Sequence, residues 1–431
     1  MAILLVIVGI AAIFVEMGIG DAIVQSEELT EEVTSQLLMT SFLLGVIAIL
    51  LTNIVGFFVL KFMGIEDHFM LLFLLTLTFL LSPNFYVYSA LLEKNFLFAQ
   101  LNKVTIFSVI LGFISTIGIA VIGGGVLALV VGYIVIELSK AIGVYLSVGT
   151  IFTFKFTSLT SQVIPQMKYG SFISGSRLLN YMNGNFDKLI IGKFFGEDIL
   201  GFYSVAWNIM AIPLRKINSI ANNISFPVFS KLKSEPLELN KVFEAVMAFV
   251  VFVNVPVYLF LFFSGEHIVT LMFGQEWSTM GSILEWLSLL GVVKALSNPA
   301  GPLILAKGKS NIELYWNLLW LIVVLGVVYY TSSSNFEIQE VAKYLAISGL
   351  IFAPIWHYLV KKSTSVSYKK IYPLMIIVAV CFVLNNILNE FITGESLVLN
   401  TVFAIACGVS IWIYNEKSGF KIFSFLTGRN E

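Results

Sequence analysis

The chain alternates long apolar runs with short polar connectors. Thirteen apolar segments fall at roughly 1–20, 36–61, 68–90, 102–122, 125–149, 169–194, 198–220, 241–263, 279–305, 312–330, 339–360, 371–391 and 395–414. Each is long enough to cross a bilayer as a helix, which takes roughly 20 apolar residues. A helix also satisfies its own backbone hydrogen bonds where lipid offers none. Transmembrane strands would alternate apolar and polar positions over about ten residues, and runs such as "VLALVVGYIVI" do not alternate. The pattern therefore predicts an all-α, polytopic transmembrane helix bundle of about 13 helices. It divides into an N-terminal bundle of five helices over 1–150, a second bundle of six over 151–360, and two extra helices with a tail over 361–431.

The connectors alternate in charge. Those at 21–35, 91–103, 150–168, 215–241, 306–311, 361–370 and 415–431 hold 18 of the 25 basic residues. The loops near 62–67, 123–124, 195–197, 264–278, 331–338 and 392–394 hold none, although Lys61, Lys193 and Lys343 stand at their edges. By the positive-inside rule the first set is cytoplasmic, and so is the C-terminus. The connector 21–35 is acidic ("DAIVQSEELTEE"), but acidic residues weigh little in this rule. Thirteen spans then put Met1 outside. The layout of 198–220 and its polar sequel matches 1–20 and its sequel, but only 198–220 has a partner helix before it. The expectation is that the first helix of the fold is absent from this sequence.

Composition agrees and narrows the function. Of 431 residues, 58% are hydrophobic and 12% charged, against about 25% charged in a soluble domain. So little charge could not coat a water-soluble protein of this length, and a disordered chain would need more of it. Two cysteines and three histidines, with no CxxC spacing, give no basis for a disulfide framework or a metal site. Walker, HExxH and GxSxG motifs are absent, and no cofactor is expected. No connector exceeds about 27 residues, too few for an ATPase or glycosyltransferase head, so energy must come from an ion gradient or the substrate's own gradient. A nucleic-acid partner is not expected.

The segment 169–194 carries the most chemistry. At about 100° per residue, Arg177, Asn180, Tyr181, Gly184, Asp187 and Lys188 share one face, opposite Leu178, Leu179, Met182, Phe186, Leu189 and Ile190. A charge in mid-bilayer costs about 2.5–3.5 kcal/mol on insertion scales, so this stripe implies a wet cavity or tight pairing. A guanidinium can bind phosphate oxygens bidentately, which makes Arg177 the first candidate for an anionic headgroup. Asn180 and Lys188 are further cavity candidates, and Asp187 is the candidate for coupling to a proton or sodium ion. Lys294 lies in "LLGVVKALSNPAGPLILAKGKS", where Pro299 and Pro302 break the helix, as at many transporter sites. Glu137 and Lys140, three apart, can pair on one helix face. Glu16 reads as interfacial, and Asn254, Asn385 and Asn386 as interhelical hydrogen-bonding groups.

Taken together, "FVEMGIGDAIVQSEELTEE" at 15–32, "LLNYMNGNFDKLIIGKFFGEDILGFYSVAWNIMAIPL" at 178–214, "FPVFSKLK" at 226–233, "LMFGQEWSTMGSILEWLSLLGVVKALSNPAG" at 271–301 and "LAKGKSNIEL" at 305–314 resemble the polysaccharide flippases. These form a branch of the multidrug/oligosaccharidyl-lipid/polysaccharide exporter superfamily. The resemblance implies two pseudo-symmetric bundles, usually of about 14 helices, working by alternating access. It implies an undecaprenyl-diphosphate-linked oligosaccharide as substrate, moved across the bacterial inner membrane for polysaccharide biosynthesis, with polysaccharide assembly proteins as partners. The related alternatives are an ion-coupled multidrug exporter and a peptidoglycan-precursor lipid flippase. A membrane-embedded polymerase would need a larger outer loop than 264–278, and no enzymatic activity is expected.

Overall fold

The computed structural model describes residues 1–25, 30–148, 164–334, 336–391 and 397–418, with side chains left undescribed at Asp21, Ala22, Gln25, 164–173, Ser176, Ile220, Asn223, Glu390 and Phe391. Among the described residues every regular element is a helix: α1 (Ala2–Glu16), α2 (Ile19–Gln25), α3 (Glu31–Met63), α4 (Phe69–Thr76), α5 (Ser82–Lys94), α6 (Phe98–Val121), α7 (Val126–Val148), α8 (Ile164–Pro213), α9 (Ser219–Lys231), α10 (Pro236–Phe273), α11 (Ser278–Ser297), α12 (Ala300–Ala306), α13 (Ser310–Ser333), α14 (Ile338–Thr364), α15 (Tyr372–Phe391) and α16 (Leu397–Lys417). Nine of these spans are long and apolar enough to cross a membrane, or ten with the bent α4–α5 pair counted as one, among the described residues. α1 is shorter, and α8 is diluted by Arg177, Asp187, Lys188 and Lys193. The protein is a multi-pass, all-α membrane protein.

The apolar runs and the helices differ in instructive places. Segment 68–90 is not straight: α4 passes through a 3-10 stretch at Leu77–Leu80 and α5 leaves at 41°, with Pro83 in its first turn. Segments 169–194 and 198–220 are one long element, α8, kinked at Gly196, whose φ of 83° and ψ of −179° only glycine adopts without strain. That element widens into a π-helical turn at Leu214–Asn218. Segment 279–305 breaks where expected, between Ser297 and Ala300. The polar connector 215–241 is largely helical, through α9 and the first turns of α10. The connector 150–168 and the tail beyond 418 lie mostly or wholly outside the described residues.

Contacts divide the chain into two compact units, Met1–Leu189 and Ile190–Glu431. The apolar pattern alone puts the first boundary at 150/151. The later division follows from packing, because the first half of α8 is tied to α1 through Tyr181 and Arg177. In the first unit, Ile19 and Ile23 of α2, Leu37 of α3, Val87 and Leu92 of α5 and Val144 of α7 form a buried cluster. The outward faces of α3, α6 and α7 carry Leu50, Phe58, Phe113, Ile114 and Leu146, all exposed, as helices facing lipid do. α3 starts at Thr30, whose hydroxyl accepts the Val33 N–H at 3.2 Å. Lys94 Nζ donates to the Ile23 carbonyl at 3.2 Å, which ties the connectors flanking α2 and α5 to one end of the unit.

In the second unit α10 is the centre, buried along Phe243, Val250, Tyr258 and Val269 and packed by α11 and α16. Its lysine-rich connectors gather at one end. Lys307 Nζ donates to the Lys233 carbonyl at 2.6 Å and Lys309 Nζ to the Ser363 carbonyl at 2.7 Å. Lys370 Nζ reaches the Ser418 carbonyl at 3.3 Å, and Asn240 Oδ1 accepts the Ser367 N–H at 2.5 Å. These connectors are the ones whose charge marked them as sharing a side.

Candidate functional site

The register of α1 against α8 begins at Gly9. A Cβ on Gly9 would collide with the Tyr181 ring and hydroxyl, so only glycine lets the tyrosine lie against the α1 backbone. The Tyr181 hydroxyl then donates to the Leu5 carbonyl at 3.0 Å. One helical turn earlier on α8, Arg177 reaches the far end of α1 and pairs through Nη1 with Glu16 Oε1. Glu16 is the last residue of α1, and Met17 follows in the left-handed region at φ 41°. A carboxylate at a helix C-terminus lies against carbonyl dipoles of the same sign, and the guanidinium offsets both. The pair is partly open, with side chains 39% exposed for Arg177 and 26% for Glu16.

Around this pair the first unit places more polar groups than the sequence reading assembled. Tyr86 of α5 lies in the electrostatic field of Glu16, Glu137, Tyr133 and Arg177. On α7, Glu137 and Lys140 pair at 2.9 Å as their spacing suggests, and Lys140 Nζ stands 5.5 Å from the Phe85 ring centroid. Four elements thus contribute ionisable or phenolic groups to one neighbourhood.

The stripe on α8 splits by depth. Asn180 is exposed and Arg177 half-buried, whereas Asp187 is 1% and Lys188 8% exposed. Lys188 Nζ donates to Asn185 Oδ1 at 2.8 Å, and Asp187 Oδ1 accepts the Lys188 N–H at 2.9 Å. Asn185 Nδ2 donates in turn to the Tyr181 carbonyl at 3.0 Å. A helical wheel drawn over ten residues puts these side chains within one broad face, but it cannot see which part of that face neighbouring helices cover.

Lys294 belongs to the second unit. Its Nζ sits 4.6 Å from the Trp207 ring centroid, within cation–π range. Trp207 is stacked on Tyr203, and Tyr258 fixes the same stretch of α8 by donating to the Met210 carbonyl at 2.8 Å. α11 ends three residues after Lys294, and Trp356 Nε1 donates to the freed Ser297 carbonyl at 3.2 Å. At α15–α16, Asn400 Oδ1 accepts from Asn385 and Asn389 at 3.2 and 3.0 Å, while its Nδ2 donates to the Phe263 carbonyl at 2.6 Å. Cys381 and Cys407 are free thiols. Among the described residues no cluster of His, Cys, Asp or Glu could hold a metal ion.

Sequence reasoning missed Glu16 as a partner, and it missed Tyr86, Tyr133 and Trp207 altogether. Glu16 had a signal, as a carboxylate ending an apolar run, but its partner lies 161 residues away. The tyrosines and the tryptophan look like any aromatic residue in a span.

Comparison with known proteins places this architecture. The family model described as "Polysaccharide biosynthesis protein" matches residues 1–282. The teichuronic acid biosynthesis protein TuaB of Bacillus subtilis (strain 168) is 31% identical over 313 residues, which is 71% of this chain and 64% of TuaB. The lipopolysaccharide biosynthesis protein WzxC of Escherichia coli (strain K12) is 24% identical over 73% of this chain and 64% of its own length. The matched stretch thus spans just under two thirds of these curated relatives. Among solved structures, the lipid II flippase MurJ in an inward closed conformation superposes with a TM-score of 0.73 at 15% identity, over 96% of this chain and 92% of MurJ. An outward-facing multidrug resistance transporter of the MATE family gives 0.56 at 14% identity, over 84% and 85%. The fold is that of MurJ and the MATE transporters, and the chain belongs to the family of membrane proteins of polysaccharide biosynthesis.

Proposed function

We propose that this protein is a flippase. It carries an undecaprenyl-diphosphate-linked oligosaccharide across the bacterial inner membrane by alternating access, with its C-terminus in the cytoplasm, and it acts as a carrier and not as an enzyme. The observation that carries the reading is the position of Arg177. It is a guanidinium inside an apolar bundle, partly open and held at a fixed height by the Tyr181 contact with α1. A planar donor fork in a low-dielectric setting suits the two phosphates of a lipid diphosphate. Family membership and the names of the relatives, which belong to polysaccharide biosynthesis, support the reading.

In this reading the diphosphate meets Arg177, Asn180 lies on the exposed side of the same helix, and Lys294 is a separate cationic candidate within the second unit. Lys188 supports the helix from its buried side. Asp187 is the proposed coupling group for a proton or sodium ion. The sugars travel in water and the lipid tail stays in the bilayer. The experiment is replacement of Arg177 by Ala in the host, followed by measurement of exported polysaccharide at matched protein levels. Loss of export with accumulation of lipid-linked oligosaccharide is expected, and full export would remove Arg177 from the mechanism.

A further inference from the structure

We propose that Glu16 is the built-in competitor of the substrate's diphosphate for Arg177. The guanidinium exchanges one anion for another: the Glu16 carboxylate when the protein is empty, and phosphate oxygens when it is loaded. This rests on the diphosphate reading given above and adds the residue that sets its selectivity.

Four observations meet here. The pair is partly exposed on both sides, so an anion arriving from water can reach the guanidinium. Glu16 ends α1, where the helix dipole disfavours a carboxylate, so the carboxylate depends on Arg177 and an arriving anion has to displace it. The chain turns immediately after it through Met17 at φ 41° and Gly18 at φ 61°, before α2 starts at Ile19. Glu16 is therefore at a joint between two helices. Finally, α1 and α8 are joined at a second place away from the pair, where Tyr181 donates to the Leu5 carbonyl and packs on Gly9. The other carboxylate of this neighbourhood, Glu137, already has Lys140 at 2.9 Å.

The consequence is a charge threshold. A neutral glycolipid has nothing to offer Arg177 in place of Glu16. A diphosphate brings more negative charge and a bidentate fit, so it displaces the carboxylate. Discrimination thus comes from an internal rival as well as from an attractive contact.

The test is binding to the full-length protein in nanodiscs, with undecaprenyl diphosphate in the lipid as one probe and inorganic pyrophosphate in the buffer as the other. Glu16→Gln, which keeps shape and removes the charge, is expected to bind the diphosphate about tenfold more tightly, equivalent to about 1.4 kcal/mol. Glu16→Asp, which keeps the charge one methylene further back, is expected to tighten binding by a smaller factor and serves if Glu16→Gln does not fold. Tightening in both arms supports the proposal and shows that the diphosphate itself is recognised, and tightening in the lipid arm alone supports it and identifies a lipid-borne diphosphate. Tightening for pyrophosphate alone identifies a free phosphate ligand and sinks the lipid-linked reading. Unchanged or weaker binding by both variants, with Arg177→Gln still losing the ligand, overturns the competitor role and leaves the diphosphate site standing. Binding that survives Arg177→Gln overturns both.

Discussion

Arg177 and Glu16 lie 161 residues apart and meet as an ion pair between the first half of α8 and the last residue of α1. A charge buried without a partner in a bilayer is expensive, and in this partly exposed pair each charge offsets part of that cost for the other. The same two helices are also joined a few residues away by Tyr181 against Leu5 and Gly9, so a tyrosine contact and an ion pair occupy the same interface.

The tyrosine contact has a direct test. Tyr181→Phe keeps the ring and loses the bond to the Leu5 carbonyl, and is expected to cost about 1 kcal/mol. Gly9→Leu overfills the space the ring occupies and is expected to cost about 1–3 kcal/mol. Unfolding midpoints of the two variants in detergent should fall in that order.

Lys294 and Trp207 are expected to be energetically coupled. Lys294→Met and Trp207→Leu, alone and together, should give a coupling of about 0.5–2 kcal/mol in a double-mutant cycle of stability. Zero coupling would show that the 4.6 Å approach carries no energy.

Asn400 joins α15, α16 and α10 through one side chain. Asn400→Ala strands the amides of Asn385 and Asn389 together, and is expected to destabilise the protein by about 1–3 kcal/mol. The unfolding midpoint of the variant in detergent should fall accordingly. An unchanged midpoint would count against the role given to Asn400.

The sidedness of the chain can be read by labelling. After replacement of Cys381 and Cys407, a membrane-impermeant maleimide applied to intact cells should modify Ile122→Cys, at the exposed tip between α6 and α7. It should leave Lys362→Cys, at the end of α14, unmodified until the membrane is opened. The opposite pattern would invert the topology.

Much of the fold was legible because the bilayer imposes one rule on every span. An apolar run of sufficient length has to be a helix, and each of the thirteen runs falls mostly on helix where it is described. The breaks at Pro299 and the pairing of Glu137 with Lys140 were legible for the same reason, as local consequences of one residue or a three-residue spacing. What the sequence hid was long-range or depended on cover. The merger of two runs into α8 turns on one glycine's dihedral angles. The burial of Asp187 and Lys188, against the openness of Arg177, depends on which helices pack over each turn. Periodicity names the face of a helix, and only packing decides whether that face is wet.

The most direct measurement is translocation itself. The full-length protein is reconstituted in proteoliposomes with a fluorescent undecaprenyl-diphosphate oligosaccharide, and protection of the sugar from an impermeant glycosidase is followed with time. Wild-type protein should move the lipid between leaflets faster than protein-free vesicles, and Arg177→Ala, folded and inserted to the same extent, should reduce the rate to near that background. Equal rates with and without wild-type protein would contradict the flippase reading, and full activity of Arg177→Ala would contradict the role given to its guanidinium.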